Sequence, residues 1–497
     1  PGTDQHPGKY TPAKRQPVMK NVIWSLGNAV LSKGFSFVFT VIIGNLLLPE
    51  ELGLFVTLLL VVTYAANIFS INLGSGIVQK MNTRSKQEEA SQLFSAGIIS
   101  MTLLSATALV VFYLLSDPLI RLFDIPAASR VIHMTYPLLV LTMLRSYLSH
   151  VYQAELRFRQ LTLINMYAAI AQVLVTLVLM YAGMGLKGVF WGLYSSSLLA
   201  LVPLTYHSFR RFNLEFGQAT FHNIRELAGF SSIIFVGSIA VLLDKRIDMI
   251  FVAHFLDNQD VAVYDYVLKF ALLFVLFGGS ISKVTYPRFT QAFSTQAGNI
   301  GRIFSFSLNY TFFFLTAAAL LFFFHAGLII DLLLPGFYLQ MIPYLLILLV
   351  GVIPRSVEAS VGTLFTARGL PSVSLWVNWL LLAVNVGLNL LLIPRYGLYG
   401  AAIATTTSFL LKPMIMLNLI ARRLRVAYPY WKLILNFVVF ITVLVAGHFV
   451  EHYLLREAIL VAYLLYSYHI FLTTTEKEYL RSGWQRFNGR VLQWMRL

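Results

Sequence analysis

The chain has 497 residues, of which 58% are hydrophobic and only 12% are charged. Soluble domains carry about 25% charged residues, so this composition indicates an integral membrane protein. The absence of cysteine excludes disulfides and thiol chemistry. A net charge of +16 would suggest a nucleic-acid partner in a soluble protein, but in a membrane protein its distribution along the chain is what matters, and no nucleic-acid partner is expected.

The opening residues 1–20 are polar and rich in proline, and they are interpreted as a disordered tail or a non-native extension. Beyond them, segments of about 20 largely apolar residues predict membrane-spanning helices. Fourteen such segments follow in order: 21–46, 52–76, 92–115, 131–153, 161–182, 186–209, 227–256, 261–285, 304–330, 340–367, 372–393, 397–420, 431–450 and 455–473. We therefore predict an all-α polytopic membrane protein.

Positive charge is distributed very unequally between the two sets of loops. With the N-terminus placed inside, 25 of the 37 Lys and Arg residues fall on the cytoplasmic side and only five on the external side. Because cytoplasmic loops carry the excess of positive charge, both termini are predicted to be cytoplasmic.

The chain also repeats itself at a separation of about 210 residues. Arg145-Ser146 recurs as Arg355-Ser356, Gly-Leu-Lys-Gly at 185–188 recurs as Gly-Leu-Tyr-Gly at 397–400, and Pro203 is matched by Pro413. Each repeat contains six predicted helices. Because six is even, the second repeat starts on the same side of the membrane as the first, and the two repeats have the same orientation. The predicted organisation is an N-lobe at 21–220, a C-lobe at 221–425, two extra helices at 426–475 and a basic cytoplasmic tail at 476–497.

Eleven charged residues lie within the predicted helices and beyond their first and last three residues. A charge at bilayer depth costs at least ~2.5–3.5 kcal/mol, so each must face protein, cargo or water. The cations are Lys33, Arg145, Lys245, Arg246, Lys269, Arg355 and Lys412. The anions are Asp244, Asp248, Asp265 and Glu358. The surplus of three positive charges predicts a cavity that suits an anionic cargo.

The charged run at 244–248 lies near the middle of one predicted helix. On a continuous helix Asp244, Lys245 and Asp248 share a face, whereas Arg246 points away from Asp244. Two interpretations stay open: internal salt bridges that bind nothing, or a helix that lines a polar pathway.

Two further pairs stand at helical spacing, Asp265 with Lys269 and Arg355 with Glu358. For both, a satisfied salt bridge is as good an interpretation as a ligand site. Arg145 and Lys33 have no acid nearby in sequence and are the preferred ligands for cargo, although Lys33 could instead pair with an acid on another helix, such as Asp244.

The opening NVIWSLGNAVLSKGFSFVFTVIIGNLLLPEELGLF resembles the first two helices of polysaccharide exporters in the multidrug/oligosaccharidyl-lipid/polysaccharide superfamily. The shared features are a mid-membrane base, here Lys33, and a short link with Leu48-Pro49 and Gly53. The similar branch is the Wzx-type flippases. This resemblance implies two six-helix lobes that form a V around a central cavity, with two additional C-terminal helices.

The resemblance implies a flippase that turns undecaprenyl-pyrophosphate-linked oligosaccharide outward across the inner membrane by alternating access. The pyrophosphate would be held by Arg145, Arg355 and Lys33, with support from Lys245, Arg246 or Lys269. The acids Asp244, Asp248, Asp265 and Glu358 are candidates for H⁺ or Na⁺ coupling, because buried carboxylates readily shift their pKa. Membrane lipids and polysaccharide polymerase components are further expected partners.

Three alternatives stay open. Two belong to the same superfamily: a peptidoglycan-precursor flippase, and a multidrug cation antiporter that would need exposed acids and neutralised bases. The third is a polytopic glycosyltransferase or polymerase, which would need a catalytic external loop and paired acids. The chain has no Walker A and no HExxH pattern, so we expect no cofactor, no metal site and no catalytic residue.

Overall fold

The computed structural model describes residues 18–478, except residues 82, 85, 245, 296–299, 425, 427, 451 and 475; it also leaves out the side chains of 18–30, 218, 219, 233, 277, 280, 283, 284, 287, 294, 295 and 371. Residues 1–17 of the predicted N-terminal tail, residues 479–497 of the predicted cytoplasmic tail and Lys245 lie outside the described residues. The helices are α1 (Val18–Leu46), α2 (Pro49–Phe69), α3 (Leu73–Met81), α4 (Gln87–Leu122), α5 (Thr135–Ala154), α6 (Phe158–Tyr181), α7 (Leu186–Arg211), α8 (Gln218–Asp244), α9 (Ile247–Phe255), α10 (Asn258–Thr295), α11 (Ile300–Phe324), α12 (Ala326–Leu333), α13 (Ile342–Ala367), α14 (Pro371–Leu419), α15 (Tyr430–Phe449) and α16 (Tyr453–Tyr466).

The all-α membrane architecture is confirmed, because the described part of the chain is built of helices and many of them are long and apolar. Within the described residues, nine helices could cross a membrane by length and composition, and one bent pair within α8 could make a tenth. The predicted count of fourteen is therefore not established and stays a prediction. Helix α5 does not pass this composition test, and it packs against α2, α3, α4 and α7.

Three of the predicted helices are interrupted, and one of them, predicted at 304–330, ends as α11 at Phe324 and continues as α12 from Ala326. The segment predicted at 52–76 breaks between α2 and α3, where Ile71 and Asn72 have positive φ values of 44° and 54°. A β-branched residue in this conformation is strained. Asn72 then accepts a hydrogen bond from the Ser75 hydroxyl at 2.7 Å, which supports the first turn of α3.

A further interruption falls in the charged run. The helix predicted at 227–256 ends as α8 at Asp244 and restarts as α9 at Ile247, with Arg246 in a non-helical conformation (φ −153°, ψ 21°). The expectation that 244, 245 and 248 share one face of a continuous helix is therefore wrong. At the break, Arg246 N donates to the Leu243 carbonyl at 3.2 Å and Met249 N donates to the Arg246 carbonyl at 3.1 Å. Broken helices of this kind lie at ligand sites in many transporters.

The internal repeat has a direct backbone counterpart. Gly185, which precedes α7, has φ 51° and ψ −134°. Gly397, at the corresponding place inside α14, has φ 56° and ψ −133°. Only glycine adopts this region readily, so both copies of the motif make the same corner. The corner divides α14, which if straight would be about 74 Å long at 1.5 Å per residue, into two parts that are each long enough to cross the membrane.

The chain divides into two compact units, Pro1–Val263 and Tyr264–Leu497. In the first, α8 packs against α3 and α4, and α9 packs against α2. Glu226 on α8 forms ion pairs with Lys80 at 2.6 Å and with Arg84 at 2.7 Å, which explains part of this grouping. The contact boundary thus lies after α9, whereas the lobe boundary at 220 remains a prediction.

The short link between α1 and α2 has a clear structural reason. Pro49 occupies the first turn of α2, where its missing N–H is not needed. One turn later, a Cβ placed on Gly53 would lie 1.7 Å from the carbonyl oxygen of Asn258. Glycine at this position therefore allows the backbones at the starts of α2 and α10 to touch.

Candidate functional site: a cationic cavity in the first unit

A cavity of about 260 Å³ lies in the first unit among α1, α5, α6 and α7. Its polar lining combines one cation with amide and hydroxyl groups, and two phenylalanines and an alanine complete it. The described residues that line it are Ser32, Phe35, Ser36, Phe39, Arg145, Asn165, Ala169, Gln172 and Ser196. A volume of this size is slightly below that of a typical small-molecule pocket and suits one small polar group.

Arg145 projects from the middle of α5 and is half-buried. Its Nη1 donates a hydrogen bond to the Ser196 hydroxyl at 3.2 Å, and its Nη2 donates to Asn165 Oδ1 at 3.2 Å. Both partners are neutral, so they orient the guanidinium without cancelling its charge. The sequence has no acid near Arg145 along the chain, and the two acceptors described for it in the structure are neutral as well.

Close packing of α6 on α7 brings these partners together. A Cβ placed on Gly192 would lie 1.9 Å from Thr176 Oγ1, and one placed on Gly188 would lie 3.1 Å from Leu179 Cβ. The two glycines therefore let α7 approach α6 closely. Ser196 follows Gly192 by one helical turn, so it lies on the same side of α7 and reaches the guanidinium.

Lys33 lies on α1 next to Ser32, and its side chain is exposed. Ser32 and Ser36 line the cavity, whereas Lys33 is not among the described lining residues. On a helix, adjacent residues point about 100° apart, so Lys33 projects from a different side of α1 than Ser32 does. Its role in cargo binding stays a prediction.

Arg355 is the repeat partner of Arg145, but its surroundings differ. In the second unit, Arg355 Nη1 lies 2.6 Å from Glu358 Oε2, and the other oxygen of Glu358 lies 3.1 Å from Lys412 Nζ. The guanidinium also lies over the Phe409 ring, 5.3 Å from its centre. Glu358 therefore bridges two cations, and the local salt bridge suggested by the sequence is present.

The other predicted pair also forms. Lys269 Nζ lies 2.5 Å from Asp265 Oδ2, and the Asp265 side chain is 1% exposed. Lys269 also lies over the Tyr266 ring at 5.6 Å. This geometry makes the pair a local salt bridge of α10, while its predicted parts in cargo binding and ion coupling stay untested.

The charged run at 244–248 spans the α8–α9 break, and α9 packs against α2. Asp248 is buried, and its Oδ1 accepts a hydrogen bond from its neighbour's backbone, Met249 N, at 3.0 Å. The Tyr64 hydroxyl of α2 is within electrostatic reach of both Asp248 and Arg246. Asp244 is half-buried at the end of α8. The predicted roles of these residues in cargo binding and ion coupling stay predictions.

The sequence did not reveal that a single buried acid at the end of α5 is surrounded by three basic side chains. The Glu155 side chain is fully buried, and His207 Nε2 donates to it at 2.9 Å, while Arg157 Nε and Arg211 Nε each lie 3.2 Å from its oxygens. Burial raises the pKa of Glu155, but the hydrogen bond from His207 and the nearby positive charges outweigh it, so the pKa is lowered overall. The signal in the sequence was an acid inside a basic loop, at 155–159.

An apolar groove of about 480 Å³ lies in the second unit. Phe312, Pro354, Val357, Leu410, Pro413, Met414, Leu417, Asn418, Ala421, Tyr430, Leu433, Ile434 and Phe437 line it. These residues come from α11, α13, the second part of α14 and the segments that follow it. Apart from Asn418 and Tyr430, the lining offers no polar side chain, so the groove suits a hydrocarbon chain.

Comparison with curated proteins finds two archaeal relatives from Haloferax volcanii. The chain is 24% identical over 259 residues to "Probable flippase AglR", a match that covers 52% of this chain and 54% of that protein. It is 21% identical over 282 residues to "Probable low-salt glycan biosynthesis flippase Agl15", covering 56% and 59%. The matches thus span somewhat more than half the length of these relatives.

Solved structures share the fold at low identity. "Lipid II flippase MurJ, inward closed conformation" superposes with a TM-score of 0.71 at 15% identity, over 91% of this chain and 98% of that one. An inward-facing multidrug resistance MATE family transporter of the MOP superfamily gives a TM-score of 0.57 at 16% identity, over 79% and 96%. The sequence model for "Polysaccharide biosynthesis protein" matches residues 18–293, which is more than half of the chain. The chain therefore belongs to the polysaccharide biosynthesis protein family, and it has the fold of the MOP transporters.

Proposed function

We propose that this protein is a flippase that moves undecaprenyl-pyrophosphate-linked oligosaccharide from the cytoplasmic to the outer leaflet of the inner membrane. It works by alternating access and makes no covalent bond. The membrane-spanning helices, the family membership and the two Haloferax flippases support transport of a lipid-linked glycan. Both termini are assigned to the cytoplasm on the distribution of Lys and Arg.

The observation that carries the proposal is the Arg145 cavity. A guanidinium inside a membrane protein is costly unless a negative charge accompanies it, and both hydrogen-bond acceptors of Arg145 are neutral. An anionic cargo supplies that charge when it binds. The planar fork of Arg also suits a phosphate, because two N–H groups can bind two oxygens at once.

The other parts of the cargo have matching chemistry in the chain. The amide and hydroxyl groups of Asn165, Gln172, Ser36 and Ser196 suit a hydrated sugar-phosphate end. The apolar groove of the second unit suits the polyprenyl chain. Lys33, Lys245, Arg246, Lys269 and Arg355 are kept as further candidates for binding, and Asp244, Asp248, Asp265 and Glu358 as candidates for H⁺ or Na⁺ coupling. A polysaccharide polymerase is the expected downstream partner.

The test replaces Arg145 and follows transport and protein amount side by side. Charged hydrogen bonds contribute about 1.5–3 kcal/mol each, and about 1.4 kcal/mol is a factor of ten in binding, so Arg145→Ala should lower glycan export at least tenfold. Arg145→Lys should restore part of the export. Arg121→Ala, at an exposed position in the last turn of α4, is the matched control and should export normally. Normal export by folded Arg145→Ala would remove this residue from the site.

The same cells distinguish the alternatives within the superfamily. A peptidoglycan-precursor flippase would be required for growth and would leave surface glycan unchanged on depletion. A multidrug antiporter would change drug resistance, and the Asp265–Lys269 pair argues against an available acid at that position. Loss of one surface glycan with normal growth and normal drug resistance is the result expected here.

A further inference from the structure

Two neutral side chains hold Arg145, and the cavity around it is small. An arginine has five N–H donors, and the described hydrogen bonds to Ser196 and Asn165 use two of them. Asn165 Oδ1 and Ser196 Oγ approach different terminal nitrogens, so together they fix the plane of the guanidinium. Arg145 itself lines the 260 Å³ cavity, together with both of these partners.

In the second unit, the arginine that corresponds to Arg145 has an acidic partner instead of neutral ones. The same Arg-Ser dipeptide occurs there, but Arg355 is paired with a carboxylate at 2.6 Å. The Glu358 carboxylate offsets one of the two positive charges of Arg355 and Lys412 and occupies a donor of Arg355. A neutral partner leaves the charge of an arginine uncancelled, whereas an acidic partner cancels part of it.

We propose that Asn165 and Ser196 are positioning residues that hold Arg145 as an uncompensated cation, so that this cavity binds a single oxyanionic group of the cargo. The group is either a phosphate of the lipid carrier or a carboxylate of an acidic sugar. The proposal rests on the proposed function and goes beyond it, because it assigns the selection for charge to an amide and a hydroxyl. The cavity is too small for an oligosaccharide, so it recognises one group and leaves the rest of the glycan outside it.

The decisive variant is Asn165→Asp. It is nearly isosteric with asparagine, keeps an oxygen 3.2 Å from Arg145 Nη2 and adds the negative charge that Glu358 gives Arg355. In purified protein in nanodiscs, it should lower the affinity for undecaprenyl pyrophosphate at least tenfold. Its thermal unfolding temperature should equal or exceed that of the wild type, because a new ion pair forms. A purely structural role for Arg145 also predicts an equal or higher unfolding temperature, but it predicts that the affinity for undecaprenyl pyrophosphate is unchanged.

Three further variants keep the test independent of folding. Ser196→Ala should weaken binding, Ser196→Thr should retain it because the hydroxyl remains, and Asn165→Asp should have no additional effect in an Arg145→Ala background. Binding by the wild type should weaken as salt increases, since it depends on charge, whereas residual binding by Asn165→Asp should not. Equal affinity of Asn165→Asp and wild type, at equal salt dependence, would overturn the proposal.

Competition identifies the source of the anion. Displacement of undecaprenyl pyrophosphate by inorganic pyrophosphate assigns the cavity to the phosphate, and displacement of a labelled acidic glycan by glucuronate assigns it to the sugar; either supports the proposal. Displacement by neither ligand overturns it. If the wild type binds an oxyanion in a manner that depends on Asn165 but transports no lipid-linked oligosaccharide, the proposed function fails and the cavity assignment stands.

Discussion

Replacing Glu358 gives the most quantitative test of how much a largely buried carboxylate between two cations stabilises this protein. The Glu358 carboxylate lies 2.6 Å from Arg355 and 3.1 Å from Lys412, and the three side chains are 18%, 14% and 6% exposed, respectively. Glu358→Gln keeps the shape but removes the charge that separates two cations. Both cations then face each other at short range in a medium less polar than water.

Removing one partner of a buried ion pair costs about 3–5 kcal/mol, and the remaining exposure of Glu358 favours the lower end, about 3 kcal/mol. For a unit of 150–250 residues, each kcal/mol lowers Tm by about 2–4 °C, so the expected loss is about 6–12 °C. The measurement is the apparent Tm of the purified protein in one detergent, read from the loss of its monodisperse size-exclusion peak after heating. Glu478→Gln, at an exposed position, is the matched control and should leave Tm unchanged.

A second substitution makes the reasoning falsifiable. Arg355→Met combined with Glu358→Gln leaves only Lys412, so the double variant should recover part of the loss, with a coupling energy of about 0.5–3 kcal/mol. Arg145→Met should not show such a loss, because its partners Asn165 and Ser196 carry no charge that it would leave behind. If Glu358→Gln unfolds at the wild-type temperature, the bridging role of this carboxylate is refuted.

Two further predictions concern the first unit and use the same assay. Gly53→Ala places a Cβ 1.7 Å from the Asn258 carbonyl oxygen and should lower the free energy of unfolding by about 1–3 kcal/mol or more. The control is Gly387→Ala in the second unit, where nothing lies within 4 Å of the added Cβ, so the free energy of unfolding should stay the same or rise by about 0.5–1 kcal/mol. Equal Tm values for the two variants would contradict the close backbone approach. The pKa of Glu155 is lowered in the folded protein, so the ionised carboxylate stabilises the fold fully above its ordinary pKa of 4.5, and this stabilisation is lost as the pH falls through the lower folded value. The Tm of the wild type should therefore drop more steeply than that of Glu155→Gln between pH 5 and pH 3. Parallel curves would contradict the role of His207, Arg157 and Arg211 around this carboxylate.

Hydropathy alone identified the membrane class and the approximate extent of the helices, because burial in lipid demands long apolar segments. It did not predict the breaks at Ile71 and at Arg246. Both depend on backbone conformations that are set by packing against other helices rather than by local apolar content. The same holds for α5, whose polarity made sense only once its surrounding helices were known.

The site was predictable where partners are close in sequence. Arg355 with Glu358 and Asp265 with Lys269 stand three and four residues apart, and both ion pairs form. The partners of Arg145 are 20 and 51 residues away, and both are neutral, so neither charge patterning nor helical spacing could reveal them. Glu155 was missed for the same reason, because His207 reaches it from a distant helix.

The matched corners at Gly185 and Gly397 have a consequence for how the two repeats have diverged. Their dihedral angles agree within about five degrees, so the turn that reverses the chain before the sixth helix of each repeat has been kept in both copies. The electrostatic surroundings differ, since Arg145 donates hydrogen bonds to an amide and a hydroxyl, whereas Arg355 pairs with a carboxylate that it shares with Lys412. A duplicated scaffold can thus retain its backbone geometry while the partners of its two arginines diverge, so that the same Arg-Ser dipeptide meets neutral groups in one copy and a shared carboxylate in the other.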